Sequence, residues 1–358
     1  RLLATFLDLV RIDSPSGEED AIAAELTHRL EALGATVRRD AYGNVIAGIG
    51  EGGEPFLLGS HMDTVEPGRG VKPVVDGGVI RSDGSTVLGG DAKSGVTAIL
   101  EGMAAVKASG APLPALEIVF TRREESGLEG AANLDYSMLT AKRGAEFDGE
   151  GAVSNVTIEA PGRISAELHF KGRGAHAGAW PERGISAIAM AARFVAGFPQ
   201  GRIDGDTTAN IGLISGGTAV NAVSADAAVS AEARSRDPSK LEKVRQQILT
   251  LVEDVRAAFP EGRVEYELRE EFGGYKIAQE HPVVLAVTQA MRGAGFEPNL
   301  IASGGATDAN VYALHGIEVV VVGLGGDDFH TVRESISVAA LNDAARFCEA
   351  LIASLRQG

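Results

Sequence analysis

The chain of 358 residues carries 33 Lys and Arg against 49 Asp and Glu, a formal net charge of −16. An excess of acid on this scale excludes nucleic acid and an anionic membrane as the main partner, because both are held by a cationic face. Hydrophobic residues at 44% and charged residues at 23% suit a globular protein with room for two domains. No apolar run approaches the roughly 20 residues of a membrane helix; the best, 317–324, is interrupted by Glu318 and Gly323. The single cysteine, Cys348, excludes an internal disulfide framework and fits a reducing, cytoplasmic setting. The sequence begins at Arg1 rather than Met, which leaves an upstream segment open.

In chain order, residues 17–33 have the spacing of an amphipathic helix, with Ser16 as N-cap, Glu19 completing a capping box and Gly34 as C-cap. Strands are predicted at 36–39, 44–48 and 55–59, and Asp76-Gly77-Gly78 reads as a hairpin turn. A helix over 97–107 and a buried strand over 115–120 follow, so helix and strand alternate as in a mainly parallel sheet covered by helices. From about Gly162 the pattern changes to a strand at 164–171, a helix at 185–198 and strands at 209–215 and 225–234. A long helix at 241–259 and a strand at 264–269 close this stretch, giving the split βαβ, ferredoxin-like order. The predicted fold is therefore α/β, with 1–162 and 274–358 forming one discontinuous domain and 163–273 an inserted α+β domain. Helix 280–294, strand 298–302, the buried run 318–323 and helix 338–355 complete the first domain.

Five clusters carry chemistry. His61-Met62-Asp63 ends an apolar strand, and the period of two puts both polar side chains on one side. Gly89-Gly90-Asp91-Ala92-Lys93 is a glycine-framed aspartate at a helix entry; Ala92 before Lys93 breaks the phosphate-loop pattern. Glu124-Glu125 follow a buried strand, Asp148-Gly149 another, and His330 lies just beyond the apolar run 318–323. Singly these read as a loop histidine, an N-cap, an acidic turn and an Asp-Gly turn. Jointly they fall at strand ends or at glycine-rich strand–helix turns, the edge of an open α/β sheet where ligands sit. Two imidazoles and several carboxylates suit zinc or manganese. If Asp91 bridges, each of two metals gains three protein ligands, the composition of a two-metal hydrolytic site. No Gly-x-Ser-x-Gly or His-Glu-x-x-His motif is present, which removes those hydrolase classes. His28, His169, His281 and His315 lack companion motifs and read as structural, as does Cys348 in its apolar helix.

The motifs His61-Met-Asp63-Thr, Gly89-Gly-Asp91-Ala-Lys93, Glu124-Glu125-Ser-Gly, Asp148-Gly and His330-Thr-x-x-Glu334, with Gly174-Ala175-His176-Ala177-Gly178, resemble the zinc aminoacylase/carboxypeptidase metallopeptidase family. Gly216-Gly217-Thr218-Ala219-Val220-Asn221 and Glu232-Ala233-Arg234-Ser235 are similar to its peptidase T-like tripeptidase branch. The resemblance implies two divalent ions, zinc foremost with manganese or cobalt as alternatives. His61, Asp91 and Asp148 would hold one ion, and Asp91, Glu125 and His330 the other. It further implies Glu124 as general base, Asp63 as orienter of His61 and a non-proline cis peptide after Asp91. His176, Asn221 and Arg234 of the inserted lid would contact substrate, with Gly304 and Gly305 in a substrate wall. The expected function is hydrolysis of short peptides, as an aminopeptidase acting on tripeptides, with the lid pairing into a homodimer. A carboxypeptidase or N-acyl-amino-acid deacylase is the alternative within the same chemistry, and a catalytically silent metal- or peptide-binding relative the alternative outside it. Two positions depart from the pattern: Asp148 is Glu in many carboxypeptidase and deacylase members, and Arg122-Arg123 replace a more usual Pro-Asp-type pair.

Overall fold

A computed structural model describes residues 1–357, which divide into two compact units, 1–159 with 276–357 and the inserted 160–275. The insertion is a few residues longer at each end than the sequence pattern indicates.

The first unit is built on a mixed sheet. Its strands run in the order Thr36–Arg39, Val45–Ile49, Leu116–Thr121, Phe56–His61, Arg143–Gly149, Glu318–Gly323 and Asn155–Ala160, with Asn299–Ala302 paired to the last. The four central strands are mutually parallel and the pairs toward either side include antiparallel ones. All six residues of Phe56–His61 are buried, as expected of a central strand covered on both faces. Helix Gly90–Ala108 packs on strands Phe56–His61 and Arg143–Gly149 and on helix Val338–Ser354. Two glycines permit this closeness. A Cβ at Gly95 would lie 2.0 Å from the Phe147 carbonyl oxygen, and one at Gly102 would lie 2.9 Å from Cys348 Sγ. Cys348 is accordingly a buried free thiol in the helix–helix contact.

Two differences from the sequence reading concern the N-terminal segment. Helix Leu2–Val10 is absent from the predicted elements; it has neither a side-chain cap nor an acidic residue in its first turn to mark its start. Phe6 and Val10 pack with Ile80, Leu88, Ile336 and Leu341. The next helix starts at Asp20, with Glu19 at the N-cap and no side-chain cap bond, so Ser16 does not cap it. Both capping candidates are engaged elsewhere: Ser16 Oγ donates to Asp63 Oδ2 at 2.6 Å and Glu19 binds Arg122. The hairpin turn is as read, with Gly77 and Gly78 at φ 56° and 82° between Val74–Asp76 and Val79–Arg81.

The inserted unit is an antiparallel sheet in the order Gly201–Arg202, Thr207–Gly216, Asp226–Ser235, Gly162–Lys171 and Arg263–Phe272. Helices Ala187–Gly197 and Pro238–Ala258 cover one face. Ile164, Ala166, Leu168 and Phe170 alternate inward to meet Phe194, Ile248 and Val252, the half-buried pattern of period two. This is the ferredoxin-like order.

Candidate metal centre

Parallel pairing sets the site. Gly59 lies opposite Glu146, so two residues further along both strands His61 and Asp148 emerge at the same edge. His61 is also paired with Thr121, which brings the 122–125 loop out beside it. Between them, Gly89 adopts φ 75°, and Asp91 and Ala92 are non-helical at the mouth of helix Gly90–Ala108. The Asp91–Ala92 peptide is cis. Glu334, only 2% exposed, accepts from the backbone N–H groups of Leu88, Gly89 and Asp91 at 2.7, 2.8 and 3.0 Å and so fixes this turn.

The Asp91 carboxylate stands between the two imidazoles. Oδ1 is 3.2 Å from His61 Nε2 and Oδ2 is 3.1 Å from His330 Nε2. Asp148 Oδ1 is 3.3 Å from His61 Nε2, and Glu125 Oε1 is 3.0 Å from His330 Nε2. Ligand atoms of His61, Glu124 and Asp148, and of His61, Asp91 and Glu125, lie within 4.8 Å of one another in each set. Asp63 is fully buried; its Oδ1 lies 3.4 Å from His61 Nδ1 and accepts from Glu124 N at 3.0 Å, while Oδ2 accepts from Ser16 Oγ and from Glu125 N at 3.3 Å.

Electrostatics across this cluster are strained. Burial pushes Asp148 up to about 8, against the lowering pull of His61. Burial and then the Asp148 charge raise Glu124 well above the usual carboxylate range. Burial opposes a charged imidazole at His61, but Asp148, Asp63 and Asp91 outweigh it and its pKa rises well above the usual value. Hydrogen bonds to Asp91 and Glu125 raise His330 to about 10. Carboxylates gathered this closely are balanced by cations.

The donor set fits divalent ions. His61 Nδ1 lies 3.1 Å from the Asp63 carbonyl oxygen, a bond that places the neutral ring's proton on Nδ1. The Nε2 lone pair then faces two carboxylate oxygens, an arrangement that calls for a positive centre between them. Ligand atoms around a tetrahedral ion at about 2.0–2.1 Å are separated by roughly 3.3 Å. The N···O separations of 3.0 to 3.3 Å lie at that edge length.

Of the sequence candidates, His61, Asp63, Asp91, Glu124, Glu125, Asp148 and His330 therefore meet at one edge of the main sheet. Gly304 and Gly305 lie in the loop before helix Asp308–Leu314, with Gly305 N donating to Ser303 Oγ at 2.9 Å. Within the inserted unit, the exposed His176 accepts at Nδ1 from Gly178 N and Ala179 N at 3.2 and 3.1 Å. Asn221 is close to it in the fold, its carbonyl accepting from Ala177 N at 3.0 Å. Arg234 is on strand Asp226–Ser235 with its guanidinium on both oxygens of Glu232, at 3.1 and 3.2 Å. The remaining histidines include structural ones: His281 lies 2.7 Å from Glu318 and His315 stacks on Tyr136 at 3.5 Å. Sequence reasoning assigned no role to Glu334, although its motif was in view, and misassigned Ser16 and Glu19.

The fold and this centre define a metal-dependent peptidase, and the chain belongs to Peptidase family M20/M25/M40, whose model matches residues 57–354. Among known proteins it is 39% identical to the uncharacterized protein YqjE of Bacillus subtilis, over 98% of this chain and 97% of that one. It is similar to the crystal structure of aminopeptidase PepT from Bacillus cereus, with 37% identity, TM-score 0.92 and coverage of 99% and 98% of the two chains. A tripeptidase structure from Staphylococcus aureus matches with 34% identity, TM-score 0.95 and coverage of 100% and 98%.

Proposed function

We propose that this chain is a two-metal aminopeptidase that cleaves short peptides, tripeptides foremost. The observation that carries the reading is the single Asp91 carboxylate set between His61 and His330, with Glu124 beside them. Likeness over the whole chain to an aminopeptidase and a tripeptidase supports the substrate class. Asp at 148, as in aminopeptidase-like relatives, favours it over the carboxypeptidase and deacylase alternative.

His61, Asp91 and Asp148 would hold one ion, and Asp91, Glu125 and His330 the other; zinc is the proposed metal, with manganese or cobalt as substitutes. Bound there, the ions supply Lewis acidity toward the scissile carbonyl and make water acidic enough to act as nucleophile near neutral pH. Glu124 takes the proton of the attacking water at its carboxylate and returns it to the leaving amine. Asp63 keeps His61 oriented through Nδ1 and holds the loop of Glu124 by its two backbone bonds. In the inserted unit, His176 has Nδ1 committed as an acceptor, so its neutral ring presents an Nε2–H donor suited to a developing oxyanion. Asn221 and Arg234 are proposed as further substrate contacts, and Gly304 and Gly305 as part of the substrate wall.

Homodimerisation through the inserted unit is part of the proposal. Strand Thr207–Gly216 is paired on one side only at Thr208 and Ala209, and beyond that pairing Leu213 and Ile214 are 70% and 61% exposed. Among the described residues, no helix is long and apolar enough to cross a membrane. A cytoplasmic location is proposed on the lone free thiol.

The test is a panel of di-, tri- and tetra-alanine and N-acetyl-amino acids assayed with zinc, manganese and cobalt. Tripeptide cleavage that requires a free amino terminus is expected. Preference for the acyl compounds would transfer the protein to the deacylase reading, and metal uptake with no turnover would leave a binding relative.

A further inference from the structure

The two glutamates after strand Leu116–Thr121 sit on a loop with no helix or sheet ladder to hold it, yet four consecutive amides of that loop are taken by side chains from elsewhere. Arg122 N donates to Asn44 Oδ1 at 3.0 Å, Arg123 N to Glu19 Oε1 at 3.1 Å, Glu124 N to Asp63 Oδ1 at 3.0 Å and Glu125 N to Asp63 Oδ2 at 3.3 Å. Glu19 is fully buried, 0% exposed. Its other oxygen is met by Arg122 Nε at 2.7 Å and Nη2 at 2.6 Å, and Oε1 also accepts from Gly17 N at 2.7 Å. A buried carboxylate this completely satisfied, at the N-cap of helix Asp20–Ala32, is a firm anchor.

What it anchors is strained. Arg123 has φ 51°, in the left-handed region that a residue with a Cβ adopts only when its surroundings impose it. Glu19 grips the amide of that residue from one side while Asp63 grips the next amide. If the Glu19 bond is lost, Arg123 relaxes toward ordinary backbone angles and rotates the peptide that carries Glu124.

We propose that Glu19, with Arg122 as its counter-charge, is a positioning residue for the proposed general base: it holds Arg123 in the left-handed conformation that aims Glu124 at the metal cluster. Arg122 neutralises the buried anchor, with Nη2 at 2.6 Å and Nε at 2.7 Å from Glu19 Oε2. The inference rests on the aminopeptidase reading.

The experiment compares wild type, Glu19→Gln and Arg122→Met, each loaded with zinc, by tripeptide kinetics, by metal content and by amide exchange across 121–126. Removal of an orienting partner one step from the reacting groups costs about 10–100-fold. The expected result in both variants is a fall of kcat of about that size, with KM changed less than about twofold and metal content intact. Faster exchange at residues 123–125 should accompany it, and Glu19→Asp should recover part of kcat. Unchanged kcat and exchange in both variants, with only a lower melting temperature, would reduce Glu19 to a structural role. A fall in kcat that tracks loss of metal would also overturn the proposal. If wild type shows no peptidase activity, the aminopeptidase reading fails, and the exchange data still decide whether Glu19 holds the loop.

Discussion

Replacing Asp63 by Asn tests how far the centre depends on a carboxylate that holds no metal. The substitution preserves shape, but each oxygen of Asp63 faces two donors: His61 Nδ1 and Glu124 N at Oδ1, Ser16 Oγ and Glu125 N at Oδ2. Whichever way the amide is turned, its NH2 points at a backbone N–H, and at least one charge-assisted bond becomes a donor–donor contact. Hydrogen bonds to a charged group contribute about 1.5–3 kcal/mol each, so loss of the one backbone bond at the turned oxygen destabilises the unit by about 1.5–3 kcal/mol. That is a large fraction of the roughly 5–15 kcal/mol that holds a domain folded. In a unit of this size it corresponds to a melting temperature lower by roughly 3–12 °C. The same change removes the charge beside His61 Nδ1 and leaves the ring held by the Asp63 backbone carbonyl alone, so metal affinity should fall about 10-fold. Thermal unfolding of metal-free protein and zinc titration against a chelator measure the two effects separately. A wild-type melting temperature and wild-type affinity in the Asp63→Asn variant would refute the assigned contacts of Asp63.

Three further outcomes follow from the same geometry. Glu124→Gln should keep full metal content and lose about 10²–10⁴-fold in kcat, read by tripeptide turnover beside elemental analysis; undiminished turnover would remove Glu124 as the base. In metal-free protein, His330 has a folded pKa of about 10 against an ordinary 6.5, so its stabilising contribution is present below about pH 6.5 and lost as pH rises toward 10. Asp148, raised by burial to about 8, likewise costs stability as it ionises between about pH 4 and 8, a window that overlaps the first from 6.5 to 8. Denaturant melts should therefore show metal-free stability falling across pH 6.5–8, with zinc-loaded protein following a flatter curve; identical curves would contradict the metal placement. Leu213→Asp with Ile214→Lys should convert a dimer to monomer in light scattering without changing the melting temperature by more than a few degrees; an unaltered mass would exclude that strand edge as the interface.

The centre was legible in the sequence because His61, Asp91, Glu125, Asp148 and His330 each stand where a strand or a glycine-framed turn ends, and parallel strands bring such ends to one edge. The alternating strands of the insertion were legible for the same reason, a regular burial period. The segment 14–20 was misread. Ser16 and Glu19 have the spacing of a local capping box, yet their partners are Asp63, the Arg122 guanidinium and the Arg123 amide. The residue types required are identical in the two cases, and only tertiary pairing decides between them. Glu334 illustrates the same limit: three amides of the 88–91 turn reach it across the fold, and nothing local to it announces them.

The central claim is that Asp91 joins two cation sites, and counting ions tests it most directly. Metal-free protein titrated with zinc, with bound metal determined by elemental analysis after gel filtration, should take up two ions per chain, and Asp91→Ala should weaken both sites. Uptake of a single ion by wild type, or retention of two equally tight ions by Asp91→Ala, would contradict the two-metal centre.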